Sequence, residues 1–351
     1  MPVFESATAY PCIITYQKSA PNSDIKVTNV EHLKFPDLRE YVSEHMINMS
    51  QSQLNDEGWN LVSSAESNLL AKLKNAGVPL KDYVKNQIYY GVKTGLNEAF
   101  VIDGPTREAL IAADARSAEI IKPFLAGRDI KRYGTPVVSN YLIFTKRGID
   151  INKYPAIKAH LEQFKKQLMP KPKDFAGDKW PGRKPGSYKW YEIQDAVDYY
   201  KEFDKVKIIF PDIAPFMQAT IDTEYSYLGN TGYIIPTNDL YLLALLNSKI
   251  VHYIYRSVSS TIRGGYLRFI RQYVEKIPII MGTEKQVATI IEIASIIINH
   301  KEDLKNTKLD NKRTQLSAKI DYLNEKIDKM VYEIYGLSEE EIGIVEGVSK
   351  V

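Results

Sequence analysis

The last third of the chain carries an apolar heptad pattern that strongly restricts what it can fold into. The members of this pattern are spaced alternately four and three residues apart: Leu316, Ile320, Leu323, Ile327, Met330 and Ile334. This spacing places them on one face of a helix, as a coiled-coil-like seam over nearly three heptads. An Ile-rich helix is also predicted from Thr283 to about His300. We expect the two helices to pack as an antiparallel pair joined around residues 306–311.

The residues before this pair show the pattern of a mixed α/β region. Short β-type runs occur at 100–103, 141–144 and 206–210. An amphipathic helix begins at Pro155, and a buried helix is predicted from Asp239 to about Val258. Strands and helices therefore alternate irregularly along this part of the chain, which favours a mixed fold over an all-helical one.

The N-terminal part is predicted to contain one strand and a helical segment. Residues 11–16 have the composition of a strand, and residues 36–76 have a helical pattern that stops at Gly77-Val78-Pro79. A chain of 351 residues suits two or three domains. The predicted fold class is α+β: a mixed α/β domain at 80–282, preceded by segments at 1–30 and 31–79 and followed by the helical pair and an acidic tail at 283–351.

Positive charge is concentrated in one window of the chain. Residues 120–190 hold 16 Lys and Arg against 5 Asp and Glu, a net charge of +11 in a chain whose total is +3. Residues 170–190 are too rich in Pro and Gly for regular structure, so we expect a basic loop there. Tyr and Trp residues are interleaved with these cations. Cations that contact phosphate, together with rings that stack on bases, are typical of a nucleic-acid surface.

Motifs of catalytic chemistry are absent from the sequence. The five His residues show no metal-ligand spacing, and there is no GxSxG elbow, Walker phosphate loop or GxGxxG turn. Asp129-Ile130-Lys131 has the DxK form found in restriction nucleases, but the best acidic strand residue, Asp212, follows it instead of preceding it. Cys12 is the only cysteine, which argues against a disulfide framework or a cysteine-based zinc site. We therefore predict no catalytic residue and no metal site in this chain.

The sequence also carries no sign of export or membrane insertion. The first residues lack the basic and apolar regions of a signal peptide. The longest apolar stretches, near residues 290–298, are too short to cross a bilayer. We expect a cytoplasmic protein without membrane association.

Several segments resemble one family in the family's own order. They are Tyr90–Asp103 (YGVKTGLNEAFVID), Ile121–Tyr133 (IKPFLAGRDIKRY), Gly148–Ile151, Trp190–Glu192, Tyr241–Ser248, Ile277–Pro278 and Met330–Gly347. Together they are similar to the TaqI-like C-terminal specificity domain. This is the target-recognition region of adenine-N6 DNA methyltransferases and of fused type IIG restriction-modification enzymes. Residues 3–14 resemble the last strands of the methyltransferase domain in those enzymes, so the resemblance implies that residues 1–30 are a remnant of it.

The resemblance implies a recognition half without its catalytic half. The Asn-Pro-Pro-Tyr/Phe loop and the glycine-rich cofactor motif of the methyltransferase domain do not occur in the sequence. The implied function is sequence-specific binding of double-stranded DNA, by phosphate neutralisation and base readout in the major groove. The implied partner is a methyltransferase domain or subunit that uses S-adenosylmethionine, with Mg²⁺ as well if a nuclease is fused. We expect the chain to be a fragment or a split subunit of a prokaryotic cytoplasmic system.

The candidate DNA-binding residues lie in the basic window, in the first family motif and in a second basic cluster. They are Lys93, Thr94, Arg128, Lys131, Arg132, Lys146, Arg147, Lys173, Trp180, Arg183, Lys184, Tyr188, Lys189, Arg256, Arg263 and Arg268. Arg183 and Lys184 are predicted to bind guanine O6 and N7, and Trp180 to pack against the DNA backbone. Tyr188 and Lys189 are expected to be exposed. Arg128 has an alternative role, a structural ion pair with Asp129.

Two other functions stay open at this point. A sequence-independent nucleic-acid or RNA-binding module predicts strong salt dependence without a preferred site. A type I-like specificity subunit or adaptor, whose helical pair docks a methyltransferase, predicts a stable complex and weak DNA binding alone.

Overall fold

The computed structural model describes residues 12–18, 24–30, 32, 34–54, 59, 61–259, 261–262 and 265–347. The strands are β1 (Asp24–Thr28), β2 (Met46–Ser50), β3 (Val78–Pro79), β4 (Tyr89–Tyr90), β5 (Val101–Asp103), β6 (Ile121–Leu125), β7 (Asn140–Ile143), β8 (Lys207–Pro211), β9 (Ile213–Ala214), β10 (Thr220–Asp222), β11 (Tyr227–Leu228), β12 (Gly232–Ile235), β13 (Thr261–Ile262), β14 (Tyr266–Arg268) and β15 (Pro278–Ile279).

Helices surround these strands and dominate the C-terminal end. They are α1 (Leu38–His45), α2 (Ser64–Lys74), α3 (Leu80–Tyr83), α4 (Asn97–Phe100), α5 (Gly104–Ala113), α6 (Ser117–Ile120), α7 (Pro155–Glu162), α8 (Lys165–Leu168), α9 (Leu240–Leu246), α10 (Lys249–Val258), α11 (Arg271–Val274), α12 (Glu284–Asn306), α13 (Asp310–Ile334) and α14 (Glu339–Glu346). Short 3₁₀ turns occur at Gln51–Gln53, Gly127–Asp129, Ile151–Lys153 and Tyr200–Glu202. The predicted α+β class is confirmed.

Two four-stranded sheets form the centre of the fold. Their strand orders are β10-β8-β12-β4 and β11-β6-β7-β5. Neighbouring strands are antiparallel except for β11, which runs parallel to β6. All five residues of β8 are buried. Four of the five, Ile208–Pro211, are apolar, as expected for a strand covered on both faces, and the fifth, Lys207, is paired with Asp222.

Alternate residues of β8 and β12 belong to two different hydrophobic cores. Ile208, Phe210 and Ile235 lie in the first core, whereas Ile209 and Ile234 lie in the second. Successive side chains of a strand point to opposite faces of its sheet. The sheet that contains β8 and β12 therefore separates the two cores and contributes to both.

The first core contains the C-terminal helical pair. Ile290 and Ile297 of α12 are buried in it together with Ile320 and Ile327 of α13. The Nη1 of Arg313 donates to the carbonyls of Leu304 and Thr307, at 3.0 and 3.1 Å, and so closes the short connection between the helices. The predicted antiparallel pair is confirmed, and its apolar seam faces the interior.

The domain boundaries proposed from the sequence stay predictions. The first core draws side chains from Leu69 through to Tyr335, so apolar packing continues across the boundary placed at 282. In the part of the chain that is described, no helix has the length and apolar character needed to cross a membrane.

The N-terminal predictions need correction. Residues 12–17 adopt neither helix nor strand, with Ile13 and Tyr16 exposed, and Pro11 lies outside the described residues. The predicted helical segment 36–76 is interrupted by β2, which pairs antiparallel with β1 and places Ile47 opposite Val27. Strand propensity depends on the partner strand, which a local reading of 46–50 does not include.

The single helix predicted from 239 to 258 is two helices, α9 and α10, with a break at Asn247-Ser248. The Asn247 side chain accepts from the backbone N–H of Ala219 at 2.9 Å and donates to its carbonyl at 3.0 Å. The Ser248 hydroxyl caps α10 by accepting from the Val251 N–H. Short polar side chains that bond to the backbone compete with the helix, which explains the break at this pair.

Candidate nucleic-acid interface

Several cations of the 120–190 window lie on the surface without a carboxylate partner. Lys131, Lys173, Lys184 and Lys189 are exposed. No Asp or Glu among the described residues lies within 4.0 Å of their ammonium groups. These ammonium groups are therefore accessible to an anion such as a phosphate.

Arg183 is the exception, because it is only 4% exposed. Its guanidinium donates five hydrogen bonds to backbone carbonyls: Nε to Leu168 (2.8 Å), Nη1 to Thr94 and Glu192 (both 2.8 Å), and Nη2 to Lys189 (3.3 Å) and Trp190 (3.0 Å). These carbonyls come from three segments that are distant in sequence. Arg183 therefore ties the base of the basic loop to the first family motif and to the end of α8.

The prediction that Arg183 reads a base edge is wrong for a physical reason. A guanidinium has five N–H donors, and all five of its bonds go to protein carbonyls. The ring of Tyr188 also covers the group, with 4.3 Å between the guanidinium carbon and the ring centroid. Burial lowers the pKa of Arg183 to about 10, so the group is still charged at neutral pH. Its role is to shape the loop.

Tyr188, expected to be exposed, is also buried, and its hydroxyl donates to the carbonyl of Lys184. Arg147 lies over the same ring, 4.9 Å from its centroid, and donates to the carbonyl of Gln194. The buried carboxylate of Glu192 accepts from the backbone N–H of Lys189 at 2.9 Å. Tyr188 and Arg147 therefore support the loop from inside, whereas Lys184 and Lys189 lie exposed beside them.

The first family motif, Tyr90–Asp103, also contains both a buried structural residue and a candidate contact. Thr94 is buried, and its hydroxyl donates to the Asn97 side chain at 2.6 Å and accepts from the Leu96 N–H. Its predicted DNA contact is corrected to a structural role at the start of α4. Gly95 has a φ of +84°, a backbone conformation that favours glycine. Lys93 is half-buried beside them and stays a candidate contact.

The cations at 128–132 differ in their surroundings. The Arg128 side chain is 84% exposed and lies 3.9 Å from Asp129, whose carboxylate fixes the turn by accepting from the Ala126 N–H at 2.8 Å. Arg132 donates to the carbonyl of Asn247 at 2.7 Å and lines a cleft with the buried Asp328. Arg132 therefore contacts the α9–α10 break, and its predicted phosphate contact stays a prediction.

Lys146 and Trp180 also have protein partners. The Lys146 ammonium donates to the Tyr200 hydroxyl at 2.9 Å, and this bond lowers the pKa of Tyr200. The Trp180 indole N–H donates to the carbonyl of Met169 at 3.1 Å, and its ring packs edge-on against Phe175. Trp180 therefore folds onto the base of the loop, whereas Lys146 stays exposed at the surface.

The second predicted cluster lies at the end of α10 and on β14. Arg256 and Arg268 are exposed, and Arg263 lies outside the described residues. Burial raises the pKa of Asp212, and the nearby charge of Arg268 opposes this shift. Arg271, in the same basic segment, was left out of the predicted set although it is exposed, with its Nε 3.4 Å from Glu275.

Comparison with known proteins agrees with the motifs. Residues 122–279 match the model of a family described as the TaqI-like C-terminal specificity domain. The matched range contains the basic loop, the second basic cluster and the strands of the two central sheets other than β4 and β5. The resemblance stated from the sequence is therefore confirmed.

Two relatives are similar over most of the chain. The type II methyltransferase M.PaeR7I of Pseudomonas aeruginosa is 26% identical over 230 residues, which cover 64% of this chain and 37% of that protein. The type II methyltransferase M.BstVI of Geobacillus stearothermophilus is 25% identical over 231 residues, which cover 63% of this chain and 38% of that protein. The chain therefore matches well under half the length of these curated relatives.

A solved structure shares the fold. The type IIL restriction-modification enzyme MmeI, determined in complex with DNA, superposes with a TM-score of 0.54 at 17% identity. The match covers 77% of this chain and 35% of that one. It extends beyond the range of the family model, so the fold is shared outside residues 122–279 as well.

Proposed function

We propose that this chain recognises a specific sequence in double-stranded DNA on behalf of a restriction-modification adenine-N6 methyltransferase. The observation that carries the proposal is a coincidence of two facts. The segment that matches a specificity-domain family is also the segment that presents exposed, unpaired cations. The relatives are methyltransferases, and the similar solved structure was determined with DNA.

The proposed mechanism separates positioning from readout. Lys131, Lys189 and the arginines of the second cluster contact phosphates and set the register of the duplex, with Lys93, Arg128 and Lys146 as further candidates. Lys173 and Lys184, on a loop whose base is fixed by Arg183, are the side chains proposed to reach base edges in the major groove. A loop anchored in this way presents its contacts with little loss of conformational entropy on binding.

Methyl transfer itself is proposed for a methyltransferase domain or subunit with which this chain works. Recognition would hold the duplex so that the target adenine can be flipped into that catalytic pocket, where S-adenosylmethionine supplies the methyl group. Mg²⁺ would be needed only if a nuclease is also present. Action on DNA of this kind suits the cytoplasmic location predicted from the sequence.

The adaptor alternative receives less support from the helical pair. The seam that was its candidate docking face packs into the first core, with Leu316, Ile320 and Ile327 buried. Exposed apolar side chains on α12 and α13, such as Ile291 and Tyr322, lie singly. Single exposed apolar residues are normal on a protein surface and do not make an interface.

The proposal is tested by selection from a random duplex pool, followed by affinity measurements between low and moderate salt. We expect an enriched motif of a few base pairs and a steep fall in affinity with salt. Salt-dependent binding without an enriched motif would support the sequence-independent module, and no binding to any duplex would refute the proposal.

A double charge reversal then tests where the DNA-binding surface lies. Lys131→Glu with Lys184→Glu is expected to weaken binding more than tenfold at moderate salt and to flatten the salt slope. The control is Lys319→Glu with Lys326→Glu, which changes the net charge equally at exposed positions of α13. Equal losses in both variants would indicate a general charge effect and contradict the assigned surface.

A further inference from the structure

A small three-stranded sheet beside the second basic cluster has one unusual face. Its strand order is β13-β14-β9, and the register places Leu267 opposite Ala214 and Arg268 opposite Ile213. Leu267 and Ala214 are buried on the inner face. By alternation, Tyr266, Arg268 and Ile213 share the outer face.

Two large apolar side chains are exposed on this outer face. Ile213 is 46% exposed and Tyr266 is 44% exposed. Their position on the same face as Arg268 makes that face a candidate contact surface.

We propose that the outer face of this β13-β14-β9 sheet is a second DNA-contacting element, separate from the 170–190 loop. This inference rests on the proposed function. Tyr266 and Ile213 would pack against the sugars and base edges of a groove, and Arg268 would contact a phosphate. The major groove of B-DNA admits a two-stranded ribbon, which is what β13 and β14 form within this sheet. Apolar side chains of minor-groove-binding proteins also wedge against base steps.

The surrounding charge favours DNA over a protein partner. Arg268 lies directly opposite Ile213, so cation and apolar side chain are interleaved on the face instead of forming a continuous apolar patch. Arg256 and Arg271, in neighbouring segments, are also exposed. A protein-docking core is depleted in charge, whereas a DNA-binding face combines cations with rings and aliphatic groups.

The face is also rigidly held. The Tyr255 hydroxyl donates to the Arg268 carbonyl at 2.7 Å and accepts from the Ile270 N–H at 2.9 Å. The Phe269 N–H donates to the Asp212 carbonyl at 2.7 Å. These bonds fix the C-terminal end of β14, so its exposed side chains are presented without a large ordering cost on binding.

The test uses two variants of the full chain: the double variant Tyr266→Ala/Ile213→Thr, and Arg268→Gln. The affinity of each is measured for the duplex found by selection. The apolar double variant is expected to bind about tenfold more weakly with an unchanged salt slope. Arg268→Gln is expected to bind more weakly with a slope lower by about one, because one phosphate contact is lost. The control is Tyr322→Ala, a tyrosine 65% exposed on α13, which is expected to bind normally.

Photo-crosslinking keeps the inference testable if the double variant does not fold. Iodouracil placed at successive positions of the duplex is expected to crosslink the unmodified chain at Tyr266. Wild-type affinity of the folded apolar variant, or crosslinks confined to residues 170–190, would overturn the inference and leave the proposed function standing. Normal DNA binding with loss of a methyltransferase partner would show that the face docks protein. Failure of the unmodified chain to bind any duplex would refute both proposals.

Discussion

Arg183 and Lys184 are adjacent in sequence and carry the same charge, yet Arg183 is buried and Lys184 is exposed. We propose loop support for the first and a DNA contact for the second. Arg183→Met removes all five hydrogen bonds of the guanidinium and leaves carbonyls of three segments without a donor. Lys184→Met removes an exposed charge and no internal bond. Comparison of the two variants therefore distinguishes the loss of loop support from the loss of a proposed DNA contact.

The expected change in the free energy of unfolding follows from the kind of hydrogen bond that is lost. A hydrogen bond from a charged donor contributes about 1.5–3 kcal/mol, and an unpaired buried acceptor costs about 1–3 kcal/mol. Desolvation of the buried guanidinium offsets much of this gain, and carbonyls at the edge of the loop regain water. We expect Arg183→Met to lower the free energy of unfolding by about 3–5 kcal/mol. Lys184→Met should change it by less than about 0.5 kcal/mol.

Urea unfolding followed by tryptophan fluorescence and far-UV circular dichroism measures these changes. Trypsin cleavage at the exposed Lys173 and Lys179 adds a local measurement, since release of the loop base should accelerate it in Arg183→Met. Lys184→Met should cleave at the wild-type rate but bind DNA several-fold more weakly. A wild-type urea midpoint for Arg183→Met would refute the assignment of this residue to loop support.

Two other predictions concern buried charge. Burial raises the pKa of Asp328 although the Lys249 N–H and Arg132 favour its ionised form, so the folded state binds this proton more tightly than the unfolded state. The resulting penalty is absent below the unfolded pKa of about 4 and grows as pH rises through the raised folded pKa. Asp328→Asn should therefore gain stability relative to wild type as pH rises, in pH-dependent urea unfolding. Lys207 and Asp222 form a fully buried ion pair at 2.6 Å. Lys207→Met alone should cost about 3–5 kcal/mol of unfolding free energy, and adding Asp222→Asn should restore part of it; additive losses would contradict the pairing.

The sequence predicted the elements whose patterns are complete within a short segment. The 206–210 run is β8, the heptad seam is the inner face of α13, and the helix at Pro155 is α7 continued by α8. In each case the spacing of the apolar residues predicts which side chains are buried. The family resemblance added the order of these elements along 80–347.

The site was harder to predict because burial of a cation depends on distant segments. Nothing local distinguishes Arg183 from Lys184, since the carbonyls that surround Arg183 come from residues 94, 168 and 189–192. Arg132 donates a hydrogen bond to the carbonyl of Asn247, which is more than a hundred positions away in the sequence. Arg271 could have been predicted from the sequence, because it belongs to the same basic segment as Arg268.

The sheet shared by the two cores makes stability and recognition one cooperative property. β8 and β12 give alternate side chains to each core, so neither core can open without exposing one face of the same strands. Substitutions in the helical pair should therefore lower the protection of the basic loop against exchange and proteolysis, although no DNA contact is altered. If the loop reads the DNA sequence as proposed, an exchange of specificity between such chains would transfer the loop beyond Arg183 and keep the shared sheet and both of its cores as one piece.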